Sequence, residues 1–170
     1  MVTEDEAGFR EFVVRQRAAL LRTAYLLTGD HGHAEDLVQT ALIKTYRHWD
    51  RVAARGEPTA YVRRVLVTTA TSWRRRLLTT EQVMDALPEQ PHHDRYPERS
   101  TAVIEALRAL PPRMRAVVVL RFYEDQSEVQ TAELLGCSVG TVKTQASRAM
   151  TRLRGALAAD PALRPTGGGS

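Results

Sequence analysis

The sequence predicts an all-α fold: two small helical domains joined by a flexible linker, the second containing a helix-turn-helix. Three observations carry that prediction. Apolar residues recur at three- and four-residue steps through most of the chain. That periodicity lapses over residues 79–99, TTEQVMDALPEQPHHDRYPER, where three prolines and paired histidines replace it. A capped turn, LLGCS, then sits between two helical patterns near the end. A chain of 170 residues holds one ordinary domain or two small ones with modest cores. The expected division is 1–78, a linker at 79–99, a second domain at 100–158 and a flexible tail at 159–170.

Phe9, Phe12, Val13, Leu20, Ala24 and Leu27 predict a helix over residues 5–28 that stops near Gly29. Ala34, Leu37, Val38, Ala41, Leu42, Thr45 and Trp49 share one face of a second helix over 33–49, with Asp30 or His31 near its start. Pro58 suits the first turn of a third, running to Leu78 with Tyr61, Val62, Val65, Leu66, Thr69 and Trp73 inward. After the linker, Ser100 and Thr101 open a helix to Leu110, and Pro111 and Pro112 break it before another from Arg113 to Tyr123. No strand is expected, because the apolar run Ala116 to Leu120 sits among helix formers.

Composition narrows the function classes. A hydrophobic share of 43% with 26% charged residues fits a globular chain. The net charge of +4 favours a polyanionic partner if the charge is clustered. With Cys137 alone, no internal disulfide or cysteine cluster for zinc can form. The acidic start MVTEDEAGFREF is unlike a signal peptide, and no apolar run approaches the roughly 20 residues of a membrane span, so a cytoplasmic protein without membrane insertion is expected. PTGGGS reads as a flexible end or an appended, non-native sequence.

The charge is clustered. Residues 127–154 read as a short helix, Glu128 to Leu135, closed by Gly136, then a second helix capped by Ser138. Val142, Ala146, Ala149, Met150, Leu153 and Leu157 form its inner stripe, which leaves Thr141, Thr144, Gln145, Arg148 and Arg152 outward. Lys143, Arg148, Arg152 and Arg154 have no acidic residue among them between 140 and 154. Such a helix suits a major groove, its first residues on base edges and its arginines on phosphates. Gln145 suits adenine, a contact worth about 1–3 kcal/mol of discrimination.

A second basic surface lies upstream. Arg63, Arg64, Arg74, Arg75 and Arg76 share a helix with Thr68, Thr69, Thr71, Ser72 and Trp73, and no acidic residue falls between Tyr61 and Leu78. Cations beside hydroxyl and aromatic groups suit a single or opened strand. On the second helix, Asp36, Gln39, Thr40 and Ile43 make a mixed acidic and apolar edge suited to a protein partner. Glu35 and Asp36 also compensate the helix dipole. His31 and His33 precede a helix and His92 and His93 sit in the linker, so no catalytic or metal cluster emerges and neither cofactor nor metal is expected.

These segments, in this order, resemble the extracytoplasmic-function group of the sigma-70 family, in particular its sigma-E-like branch. LLTGDHGHAEDLVQTALIKTYRHWDRV resembles the part of region 2 that docks on the polymerase clamp. The resemblance implies core RNA polymerase binding through Asp36, Leu37, Gln39, Thr40 and Ile43. PTAYVRRVLVTTATSWRRR resembles the segment that melts and reads the −10 element, which implies contacts from Arg63, Arg64, Thr68, Thr71, Ser72, Arg74 and Arg75. The last segment, from LPPRMRAVVVLRFYED to RAMTRLR, resembles region 4, which implies −35 contacts from Thr141, Lys143, Thr144, Gln145, Arg148 and Arg152. The implied partners are core polymerase, promoter DNA and an anti-sigma protein, and the implied role is a non-enzymatic one. Thr40, Thr68 and Gln145 depart from the group's commonest residues, glutamate, asparagine and arginine. A conventional helix-turn-helix regulator on an operator is the alternative, but it leaves the first-half surfaces without a task. A nucleic-acid enzyme would need the catalytic cluster that the sequence lacks.

Overall fold

The structure, a computed structural model, describes residues 1–79 and 98–159, with the side chains of 73–79 and 98–101 outside that description. All regular elements among the described residues are helical. α1 (Glu4–Thr28), α2 (His31–Arg47), α3 (Trp49–Ala54) and α4 (Pro58–Thr79) form the first unit. α5 (Glu98–Arg108), α6 (Pro112–Val118) with a π-helical turn (Val119–Tyr123), α7 (Glu128–Leu135) and α8 (Val139–Ala159) form the second. Most of the sequence's linker falls at 80–97, and most of its tail at 160–170, outside the described residues.

Local chemistry sets the helix ends. Thr3 and Glu6 make a reciprocal capping box at the start of α1, and Gly29 closes the helix at φ 71°, a conformation that favours glycine. Arg108 covers that glycine so closely that an added Cβ would collide with its side chain. Asp30 then caps α2 by accepting from the His33 amide at 2.8 Å.

Besides shifts of one or two residues at helix ends, two features differ from the sequence expectation. The helix expected over 33–49 breaks at His48 (φ −120°, ψ 21°), and Trp49, expected within it, instead opens the short α3. Trp49 turns into the core, its ring 5.3 Å from both Phe9 and Phe12. The helix expected to run on to Tyr123 widens at Val119–Tyr123, where the Glu124 amide donates to Val119 O at 2.9 Å.

The two units share an interior. Ala116, Val119 and Leu120 of the second unit are buried in the same cluster as Phe12, Leu20, Leu37, Val62 and Leu66 of the first. Arg115, 1% exposed, crosses between them. It donates to the carbonyls of Leu107, Arg108 and Leu110 around the end of α5, and to Leu27 O in the last turn of α1. A smaller cluster of Val117, Ala132 and Val142 holds the turn, with Cys137 half-buried against it.

Candidate nucleic-acid interface

The helix-turn-helix forms where the sequence places it. Ser127 and Gln130 make a reciprocal capping box on α7, and Gly136 ends that helix at φ 65°. The Ser138 hydroxyl accepts from the Thr141 amide at 3.1 Å and so caps α8. Val142, Ala149 and Leu153 are buried, with Ala146, Met150 and Leu157 packed beside them.

The opposite face of α8 presents Lys143, Thr144, Arg148 and Arg152 to solvent, with Thr141 and Gln145 half-buried. The hydroxyl of Thr141 meets that of Ser138 at 2.9 Å, and Thr144 donates to Gly140 O at 3.0 Å. Although 140–154 contains no acid, the fold brings Glu128 of α7 to within 3.7 Å of Lys143 and 3.9 Å of Arg121. Lys143 is thus partly neutralised, while Arg148 and Arg152 make no ion pair among the described residues.

On α4, Arg64, Thr68 and Ser72 are exposed, and Thr71 is half-buried. Thr68 and Thr71 bond the helix backbone at 2.7 and 3.0 Å to Arg64 O and Val67 O. Arg74 and Arg75 lie on the described helix, but their side chains fall outside the described residues. Arg63 is engaged: its Nε donates to Glu124 of the second unit at 3.0 Å, and the other carboxylate oxygen accepts from Thr23 of α1.

A cleft of about 630 Å³ opens beside that contact, with His48, Arg51, Arg55, Tyr61, Arg63 and Arg64 on one side and Gln126, Gln130 and Glu133 on the other. Arg51 and Arg55 were not among the expected site residues, because no element was assigned between Trp49 and Pro58. Their spacing of four residues was the available signal.

The edge of α2 proves to be one lip of a groove of about 700 Å³ against α1. Phe9, Val13, Leu21, Val38, Leu42, Ile43 and Tyr46 supply its apolar lining, and Arg17, Glu35, Asp36, Gln39 and Arg47 its polar one. Ile43 and Tyr46 are exposed, an unusual pair of large side chains to leave in water. Leu37 must be withdrawn from this surface: it is 0% exposed, on the inner stripe of α2, and cannot reach a partner. Thr40 is half-buried and lies outside the groove lining.

A helical unit with an apolar groove and a basic helix, followed by a capped helix-turn-helix, is the architecture of a two-part helix-turn-helix protein. Residues 12–78 match the family model for sigma-70 region 2, and residues 100–153 the model for sigma-70 region 4. The chain belongs to the extracytoplasmic-function sigma factors of the sigma-70 family, on the sigma-E-like branch. It is 40% identical to the RNA polymerase sigma-E factor of Streptomyces coelicolor over 153 residues, 89% of this chain and 86% of that one. The sigma-E factor of Streptomyces avermitilis is 43% identical, with 86% and 83% covered. Among solved structures, the sigma factor RpoE of Bartonella quintana, crystallised with the anti-sigma factor NepR, superposes with a TM-score of 0.73 at 27% identity, covering 90% of this chain and 98% of that one.

Proposed function

We propose that this sigma factor binds core RNA polymerase through the α1–α2 groove and brings two promoter elements to it. α4 captures the opened −10 strand, and α8 enters the major groove at −35. The observation that carries the reading is the combination in one chain of an exposed apolar groove with acidic residues, an arginine-bearing helix and a capped basic helix-turn-helix. Each half alone binds DNA weakly. Polymerase fixes their spacing and makes the second contact intramolecular. Catalysis belongs to polymerase, and the sigma factor acts where polymerase is, in the cytoplasm. No helix among the described residues is long and apolar enough to cross a membrane. The groove also suits an anti-sigma protein, the kind of partner named for the RpoE structure.

Run-off transcription tests the proposal: protein plus core polymerase starts at a defined promoter set that core alone does not use. Asp36→Arg reverses an exposed groove charge and should weaken core binding by about tenfold, as like charges meet across the interface. Unchanged core affinity in that variant removes the groove from the docking surface. Tight operator-like duplex binding by the protein alone would favour the conventional regulator instead.

A further inference from the structure

We infer that Glu124 is an internal latch that occupies Arg63 in place of DNA and holds the second unit against α4 until a promoter complex forms. The inference rests on the reading of α4 as a strand-binding surface. Glu124 spends both carboxylate oxygens on the first unit, one on Arg63 Nε at 3.0 Å and one on the Thr23 hydroxyl. The Arg63 and Glu124 side chains are only 23% and 17% exposed, and Thr23 is 2% exposed, so the contact is screened far less than a surface pair. The backbone is shaped to deliver it. The π-helical turn ends at Glu124, and Asp125 follows at φ 53°, a left-handed conformation uncommon outside glycine. Gln126, Gln130 and Glu133 then face Arg64 and Tyr61 across the cleft. A strand phosphate on Arg63 would have to displace a carboxylate already there.

Dimensions demand that this contact open. The −10 and −35 elements lie about 25 base pairs apart, which at about 3.4 Å each is roughly 85 Å. A packed body of about 150 residues has a radius of gyration near 15 Å and spans only about 40 Å. With Ala116, Val119 and Leu120 buried against the first unit, α4 and α8 cannot occupy both elements at once. The closed form is therefore a different state from the promoter-bound one, and Glu124 stabilises it at the expense of Arg63.

Glu124→Gln keeps the side-chain shape and removes the charge. Measured on the full chain without polymerase, its binding to an oligothymidine of about 20 nucleotides should tighten about three- to tenfold. The slope of log K against log salt should steepen by about 0.7, the signature of one added strand phosphate. Adding Arg63→Ala to that variant should cancel both gains. Small-angle scattering supplies a measurement independent of DNA: Glu124→Arg should enlarge the radius of gyration, and the swap Arg63→Glu with Glu124→Arg should restore it. Unchanged strand affinity and slope in Glu124→Gln, with run-off transcription intact, overturns the latch and leaves promoter reading standing. If Glu124→Gln gains affinity and Arg63→Ala does not reverse it, Arg63 is no strand contact; that result overturns the latch and its reading of Arg63 together.

Discussion

Replacing Arg115 with methionine should unfold this protein far more readily than any loss of surface charge. Methionine fills much of the arginine's space but donates nothing. Arg115 Nε lies 2.7 Å from Leu107 O, Nη1 2.9 Å from Leu27 O, and Nη2 2.8 and 3.0 Å from Arg108 O and Leu110 O. Arg108 is exposed, so its carbonyl can turn to water. The bonds to Leu107, Leu27 and Leu110 are buried. A buried carbonyl stripped of its donor costs about 1–3 kcal/mol, and relief from burying a charge offsets part of the sum. A net loss of about 3–5 kcal/mol follows, a large share of the roughly 5–15 kcal/mol typical of a folded domain. Urea unfolding followed by far-ultraviolet circular dichroism should register this as a midpoint lower by about 2 M, for slopes of about 1–3 kcal/mol per molar. Arg115→Lys keeps the charge but reaches fewer carbonyls and should fall between. A midpoint shift below about 0.5 M in Arg115→Met would mean that water already serves these carbonyls, and the account of Arg115 as the bolt between α1, α5 and α6 would fail.

Thr131 supports the opposite expectation. Its hydroxyl is buried without a hydrogen-bond partner among the described residues, so Thr131→Val, of the same shape, should raise stability by about 1 kcal/mol and the melting temperature by a few degrees. A lower melting temperature would show that the hydroxyl has a partner. Arg148 is exposed on the outer face of α8, so Arg148→Ala should weaken upstream duplex binding by the polymerase complex and flatten its salt slope by about 0.9. An unchanged slope would remove Arg148 from the phosphate contacts.

The helix ends were legible because their chemistry is local. Gly29, Asp30, Ser127, Gly136 and Ser138 each sit at the boundary that their conformational preference or side-chain oxygen defines. The break at His48 was not legible, since Trp49 falls on the same stripe as Leu42 and Thr45 and continues the period. Only the position of Phe9 and Phe12 in space explains why the chain turns there. The π-helical turn was hidden for a related reason: it ends the helix at Tyr123, so no later turn remains to show the shift in period. Leu37 lay both on the buried stripe and inside the family segment, and burial decides between them. Glu128 lies outside the acid-free window on α8, so its approach to Lys143 needed the fold.

The contacts between units depend on pairings that no window of sequence spans, as Arg63 with Glu124 illustrates. α1 is the element that connects them to the proposed polymerase surface. Phe9, Val13 and Leu21 line the groove, while Thr23 and Leu27 of the same helix bond Glu124 and Arg115. Leu21 and Thr23 are two residues apart on one continuous helix, so groove and inter-unit contact share a rigid support. A partner shifts an equilibrium only by as much as its affinity differs between the two states. An occupant confined to Phe9 and Ile43 meets the same surface whether the units are joined or apart, and leaves that balance unchanged. One that reaches past Leu21 toward the end of α1 meets surface that the second unit covers in the closed form, and its binding energy then works directly against the Glu124 contact.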